Sequence, residues 1–159
     1  MASGRLMRTV DVLEMRAARA EVFRAASDVG RWPSILPHYR WVRFRNRRED
    51  GGMVEMAAWR PFGPFRYPTW WVSEMWIDSG RNEIRYRHID GITTGMDVVW
   101  KLEEQGDRTV VSIVHEWSGP RWPLVGEFAA NAVIGPVFIH GIASRTLAGI
   151  RNALERPDA

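Results

Sequence analysis

Three ionisable residues, Arg60, His88 and His115, lie in β-rich sequence where strand alternation turns them toward the apolar side. In GGMVEMAAWRP, Glu55 pointing to solvent puts Met56, Ala58 and Arg60 on the opposite face. Arginine cannot shed its proton, so at a pocket's edge it meets a carboxylate, enolate or phosphate, or pairs with a nearby acid. A strand-end arginine reaching into water is the plainer alternative. His115 shares a face with Val111, Ile113 and Trp117, and His88 shares one with Ile84 and Tyr86. Imidazole titrates near neutral pH, so these are the groups able to move protons in general acid–base chemistry. Each also fits a hydrogen-bonded core histidine, because local spacing fixes no acid beside either. His38, bounded by prolines, and His140, on the C-terminal helix, carry no catalytic expectation.

The same parity gathers Trp71, Ser73, Tyr86, Trp100 and Trp117 around these groups, with Met96 and Val98 on the Trp100 face. Aromatic faces with a few hydroxyl and indole donors suit a flat or conjugated ligand, and they equally make an aromatic core. Other chemistry is missing from the sequence: no HExxH, no CxxC, no GxSxG, no glycine-rich phosphate loop and no carboxylates clustered with histidine at ligand spacing. No metal or nucleotide cofactor is expected.

The elements that must position these residues follow from periodicity. Residues 6–15 are rich in β-branched and apolar types and read as a first strand. In ARAEVFRAASDVG, Val22, Phe23, Ala26 and Val29 recur at helical spacing, and Gly30 stands where a helix C-cap would sit. Pro33 and Pro37 limit the next piece to a short helical turn. From about residue 39 to 118, segments rich in Val, Trp, Tyr, Ile and Thr are punctuated by glycine and proline, giving six consecutive strands. Asp50-Gly51 and Ser79-Gly80 read as hairpin turns in which glycine takes positive φ. Near the end, Ile139, Ile142 or Ala143, Thr146 or Leu147, Ile150 and Leu154 repeat every three to four positions, and Gly135-Pro136 should bend or interrupt that helix near its start. The architecture is therefore α+β, an antiparallel sheet whose apolar face is covered by the C-terminal helix. One narrow helix on a broad sheet leaves an apolar cavity, where small ligands bind.

At 159 residues the chain is most economically one domain, 1–159. Its 45% hydrophobic and 26% charged content is ordinary globular usage, whereas nine tryptophans are not. The net charge of +3 concentrates in Arg40-Trp41-Val42-Arg43-Phe44-Arg45-Asn46-Arg47-Arg48, where a strand puts Arg43, Arg45 and Arg47 on one face and Val42 and Phe44 on the other. A solvated sheet face explains this better than a nucleic-acid surface, since no recognition motif accompanies it. There is no cysteine, so disulfide and thiolate chemistry are excluded. The N-terminal residues lack a long apolar run and a cleavage site, so no signal peptide is expected and the cytoplasm is the default. The uncharged stretch 128–144 falls short of a membrane span and reads as a buried helix.

Ser27-Asp28-Val29-Gly30-Arg31-Trp32-Pro33, Gly95-Met96-Asp97-Val98-Val99-Trp100, the pair His115-Glu116 and the stretch 139–155 together resemble the START-like (SRPBCC) superfamily, most closely its polyketide cyclase/aromatase and coenzyme-Q-binding-like branch. The likeness runs from about residue 9 to 155 and rests on the order of these loose motifs. It implies a helix-grip fold: seven antiparallel strands wrapped around a long C-terminal helix, two short helices after the first strand, and a deep hydrophobic pocket. In that fold Trp32, Ile35 and Leu36 would close one end of the pocket, Tyr39 would stand where the chain enters the sheet, and Phe138 and Ile142 would face the ligand from the helix. The resemblance also implies that Arg60 orients polyketide oxygens.

Two functions follow from different classes. One is binding, and cyclisation or aromatisation, of a polyketide-like molecule that an acyl carrier protein could present. The other is non-catalytic carriage of a lipid or quinone. Neither needs nucleic acid or a membrane span.

Overall fold

The computed structural model describes residues 7–62, 64–91, 93–118 and 136–155, with the side chains of residues 60–62, 67 and 136–138 excepted. Strand β1 (Met7–Met15) leads into helix α1 (Arg19–Ser27), a 3-10 turn (Val29–Arg31) and the one-turn helix α2 (Trp32–Ile35). Six strands follow: β2 (Tyr39–Arg48), β3 (Gly51–Phe62), β4 (Phe65–Asp78), β5 (Glu83–Gly91), β6 (Asp97–Gln105) and β7 (Arg108–Trp117). Helix α3 (Pro136–Glu155) closes the described chain. β2 to β7 pair in sequence order and β1 returns to pair with β7, giving one antiparallel sheet of seven strands ordered β1-β7-β6-β5-β4-β3-β2.

Alternation decides which face is covered. β5 buries Ile84, Tyr86 and His88 while Arg85 and Arg87 face water; β7 buries Val111, Ile113 and Trp117 on the face that also carries His115. That inner face packs on α3, whose Ile139, Ala143, Thr146, Leu147 and Ile150 are buried at helical spacing. α1 and α2 fill the remaining end with Val22, Ala26, Trp32 and Leu36. The Trp32 indole donates to the Ala25 carbonyl at 3.1 Å, so its N–H is satisfied as the ring is buried.

Three local expectations are corrected. α1 ends at Ser27 with Asp28 as its cap, so Gly30 is no C-cap; it lies within the 3-10 turn. At the β4–β5 turn Asn82, with φ of 53°, takes the left-handed conformation in place of Gly80. Parity on β2 is broken by irregularities between Tyr39 and Trp41 and between Phe44 and Asn46, so the arginines do not form one clean row. They are engaged on the sheet itself: Arg45 pairs with Glu55 at 3.1 Å, Arg48 with Asp50 and Glu74, and the Arg43 guanidinium lies 4.1 Å from the Trp41 ring centre. The stretch 128–135 and residues 1–6 lie outside the described residues; α3 is described from Pro136 onward.

Glycine is required at the β2–β3 turn. Gly51 has φ of 136°, and a Cβ there would stand 2.1 Å from the Met75 carbonyl oxygen. Gly51→Ala is expected to cost about 2 kcal/mol or more, read as a fall in urea midpoint. Gly30→Ala, where nothing lies within 4 Å of the added carbon, should change stability by no more than about 0.5 kcal/mol. Equal losses for both would show that the turn does not need glycine.

Candidate ligand cavity

Between the sheet and α3 lies a cavity of about 70 Å³. Strands β2 to β7, α2 and α3 each supply part of its wall. Trp32 comes from α2, Tyr39 from the start of β2, Met56 from β3 and Trp71 from β4. Tyr86 and His88 come from β5, Val98 and Trp100 from β6, and His115 from β7. The aromatic rings brace one another. Trp32 meets Tyr39 edge-on at 5.2 Å and Trp100 at 5.7 Å, and Tyr39 meets Trp71 at 6.2 Å.

Of the ligand-facing residues expected from the sequence, these nine and Ile142 line the cavity. Leu36, Ala58, Ser73, Met96 and Trp117 are buried in the same core without reaching it. Ala58, Ser73 and Trp117 lie on strands, whereas Leu36 caps α2 and Met96 lies in the loop before β6. The side chains of Arg60 and Phe138 lie outside the described ones; Arg60 sits on β3 opposite Tyr67. Sequence reasoning missed Ile113, Ile139, Ala143 and Thr146 as wall residues. The last three share one helical stripe with Ile142, a spacing of three, four and seven that was legible.

The polar end of the cavity is built by β5, β7 and the β5–β6 loop. His88 stacks on Trp71 with ring centres 5.9 Å apart and planes 2° from parallel, and its Nδ1 lies 2.5 Å from Thr93 Oγ1. The loop is tied down by its own backbone: Gly95 N–H donates to the His88 carbonyl and His88 N–H to the Met96 carbonyl. Trp117 Nε1 donates to the Thr94 carbonyl at 3.1 Å, which explains why that indole is fully buried beneath the loop. His88 is thus held in ring plane and position, with one nitrogen engaged.

His115 and Tyr86 are different. Among the described residues, the Tyr86 hydroxyl and His115 Nδ1 are both buried without a hydrogen-bond partner, and the Ser73 hydroxyl shares that condition. A buried polar atom left unpaired costs roughly 1–3 kcal/mol. Burial also fixes their charge. It lowers His115 to about 4, and burial followed by the proximity of His115 lowers His88 to about 3. Burial, with the Tyr39 hydroxyl nearby, pushes the Tyr86 phenol well above its ordinary value. At neutral pH the cavity therefore presents uncharged donors and acceptors, not an acid–base pair poised near 7.

At the opposite end, His38 Nε2 lies 3.0 Å from Thr146 Oγ1, which itself donates to the Ile142 carbonyl at 2.8 Å. The imidazole is the donor in that bond, since the threonine proton is already spent. Among the described residues no cluster of three or more histidine, aspartate or glutamate side chains could hold a metal ion. No described helix is long and apolar enough to cross a membrane.

A curled seven-stranded antiparallel sheet gripping one long helix around a cavity is the helix-grip architecture. Residues 15–136 match the family model described as polyketide cyclase/dehydrase and lipid transport, and the chain belongs to that family, within the START-like superfamily. The structure is similar to TTHA0849 of Thermus thermophilus, with a TM-score of 0.77, 14% identity, and 92% of this chain and 96% of that one covered. It is similar to the Zhui aromatase/cyclase of a Streptomyces species, with a TM-score of 0.70, 15% identity and coverage of 94% and 96%. A START superfamily protein from Mycobacterium smegmatis gives a TM-score of 0.73 at 13% identity, covering 94% and 97%. No curated protein matches the chain in sequence.

The depressed histidines make stability pH-dependent in a definite direction. Above pH 6.5 both the folded and unfolded imidazoles are neutral. As pH falls from about 6.5 toward 4, the unfolded chain takes up protons that the folded cavity refuses, so stability drops by about 1.4 kcal/mol per pH unit for each histidine. Urea midpoints of wild type at pH 7, 5.5 and 4.5 should decline, and His115→Asn should decline less steeply over that window. Parallel slopes would mean that His115 takes up its proton as readily in the folded as in the unfolded chain.

Proposed function

We propose that the chain is a single-domain cytoplasmic protein that binds a hydrophobic small molecule, aromatic or polyketide-like, in the cavity between the sheet and α3. The observation that carries this reading is the pairing of an aromatic wall with two buried polar atoms, Tyr86 Oη and His115 Nδ1, that no described residue hydrogen-bonds. A phenol, enol or ketone oxygen placed there would satisfy both groups, while Trp32, Trp71 and Trp100 pack on the ring faces. The family and the likeness to an aromatase/cyclase support the same reading. At about 70 Å³ the cavity is less than half the ~150 Å³ that holds benzene in an engineered apolar core, so entry requires the wall to move.

As a cyclase the protein would work chiefly by position. The wall would fold a poly-β-ketone, delivered by an acyl carrier protein, so that a carbon nucleophile meets a carbonyl. The Tyr86 hydroxyl, a neutral imidazole and Arg60 would steady the oxygen on which enolate charge develops. His88 and His115 would serve as oriented hydrogen-bond groups at neutral pH, taking a proton only as negative charge builds beside them. Their low basicity favours a second reading, a non-catalytic carrier of a lipid or quinone.

Titration with 2-naphthol should quench tryptophan emission saturably, with most of the amplitude lost in Trp32→Phe. An unchanged wild-type spectrum would remove the ligand-binding reading. To separate cyclase from carrier, Arg60→Ala, His115→Ala and Tyr86→Phe are assayed with a carrier-tethered poly-β-ketone. A cyclase should lose about 10²-fold or more in turnover in at least one variant while binding survives. Product formation unchanged in all three would sink the cyclase reading and leave the carrier.

A further inference from the structure

Outside the aromatic cavity, a larger recess of about 380 Å³ opens between α3, the segment before β2 and the β3–β4 hairpin. Its polar lining is one-sided in charge: Arg66 from β4, Arg145 and Asn152 from α3, and His38, with no carboxylate among the lining residues. Among the described residues neither Arg66 nor Arg145 takes part in an ion pair. Arg45, Arg48, Arg85 and Arg108, by contrast, each hold a carboxylate.

Trp59 lines the recess and carries one of its cations. The Arg66 guanidinium lies 4.6 Å from its ring centre, and Arg40, on the strand flanking Trp59 from the other side, lies 4.8 Å away. A guanidinium held over an indole keeps its N–H donors directed outward in its own plane, ready for a bidentate acceptor. Arg145 stands close enough to His38 that, after burial, its charge is what disfavours the imidazolium. Two guanidiniums and an amide thus face one space to which no described residue brings a compensating anion.

The recess also adjoins the aromatic cavity. His38 lines the recess and Thr146 lines the cavity, and the hydrogen bond between them is the partition, with Tyr39 packed against the His38 ring at 4.7 Å. We propose that the recess is a binding site for a carboxylate or phosphate group, held by Arg66 and Arg145 beside Trp59, and that it seats the charged end of the ligand whose apolar body enters the cavity. The link to the apolar body rests on the ligand-binding reading above; the anion site does not.

The test uses the intact chain at low salt. Inorganic phosphate and acetate are titrated while the Trp59 indole and His38 ring resonances are followed by NMR, assigned through Trp59→Phe and His38→Gln. At least one anion should shift both sets saturably in wild type and neither in the Arg66→Gln/Arg145→Gln double variant, whose exposed side chains leave the core untouched. Calorimetry then compares 2-naphthol with 2-naphthyl phosphate and 2-naphthoate. The anionic probe of the productive class should bind at least about tenfold more tightly than the neutral one, and the double variant should erase that advantage without altering 2-naphthol affinity.

The phosphate and carboxylate arms identify which headgroup is preferred, and saturable binding of either supports the site. Absence of saturable shifts with every anion, or an anionic advantage that survives in the double variant, overturns the proposal. If 2-naphthol fails to bind while phosphate still shifts Trp59, the cavity reading falls and the anion site stands.

Discussion

Seven strands present an apolar face that one twenty-residue helix has to cover. Six inter-strand spacings of ~4.8 Å make a sheet about 29 Å across, whereas a helix with its side chains is only ~10–12 Å wide. The sheet therefore has to curl, and what the helix cannot reach must be filled by side chains of unusual bulk. The tryptophan-rich composition answers that demand: Trp32, Trp71, Trp100 and Trp117 are all buried within the curl, two of them with their indole N–H groups bonded to nearby carbonyls. The short helices after β1 serve the same end by plugging the side that α3 leaves open.

The same mismatch accounts for the chemistry of the cavity. Once rings fill most of the gap, polar groups carried inward by strand alternation lose their water. His88 recovers one partner because the β5–β6 loop folds Thr93 over it. His115 Nδ1 and the Tyr86 hydroxyl recover none among the described residues, and the missing solvation shows as depressed imidazole basicity and a phenol that holds its proton more tightly. Fold and electrostatics are thus one problem here: uncharged hydrogen-bonding groups in an aromatic wall are what remains when a wide sheet closes on a narrow helix.

Much of this was legible in the sequence because strand alternation is strict. The strands after residue 39, the inward turn of His88 and His115, and the apolar stripe of the last helix all follow from periods of 2 and 3.6 residues. Alternation assigns a face and not a depth, so Met96 and Trp117 could not be told from Val98 and Trp100. Thr146 looked like one more core position, because its bond to His38 joins residues 108 apart in sequence. Gly30 and Gly80 misled for a related reason: glycine permits unusual backbone without requiring it, and Asn82 took the strained place at the β4–β5 turn.

The arginine-rich strand β2 forms one free border of the sheet. A border strand is a template on which another chain can lay its own backbone, and flat, apolar borders invite aggregation. β2 is neither flat nor apolar: two breaks in register distort it, and Arg40, Arg43, Arg45, Arg47 and Arg48 line its exposed length. A second copy offering the same strand would bring like charge against like charge. The cationic run that contributes to the protein's net positive charge thereby opposes the addition of a further strand at the β2 border.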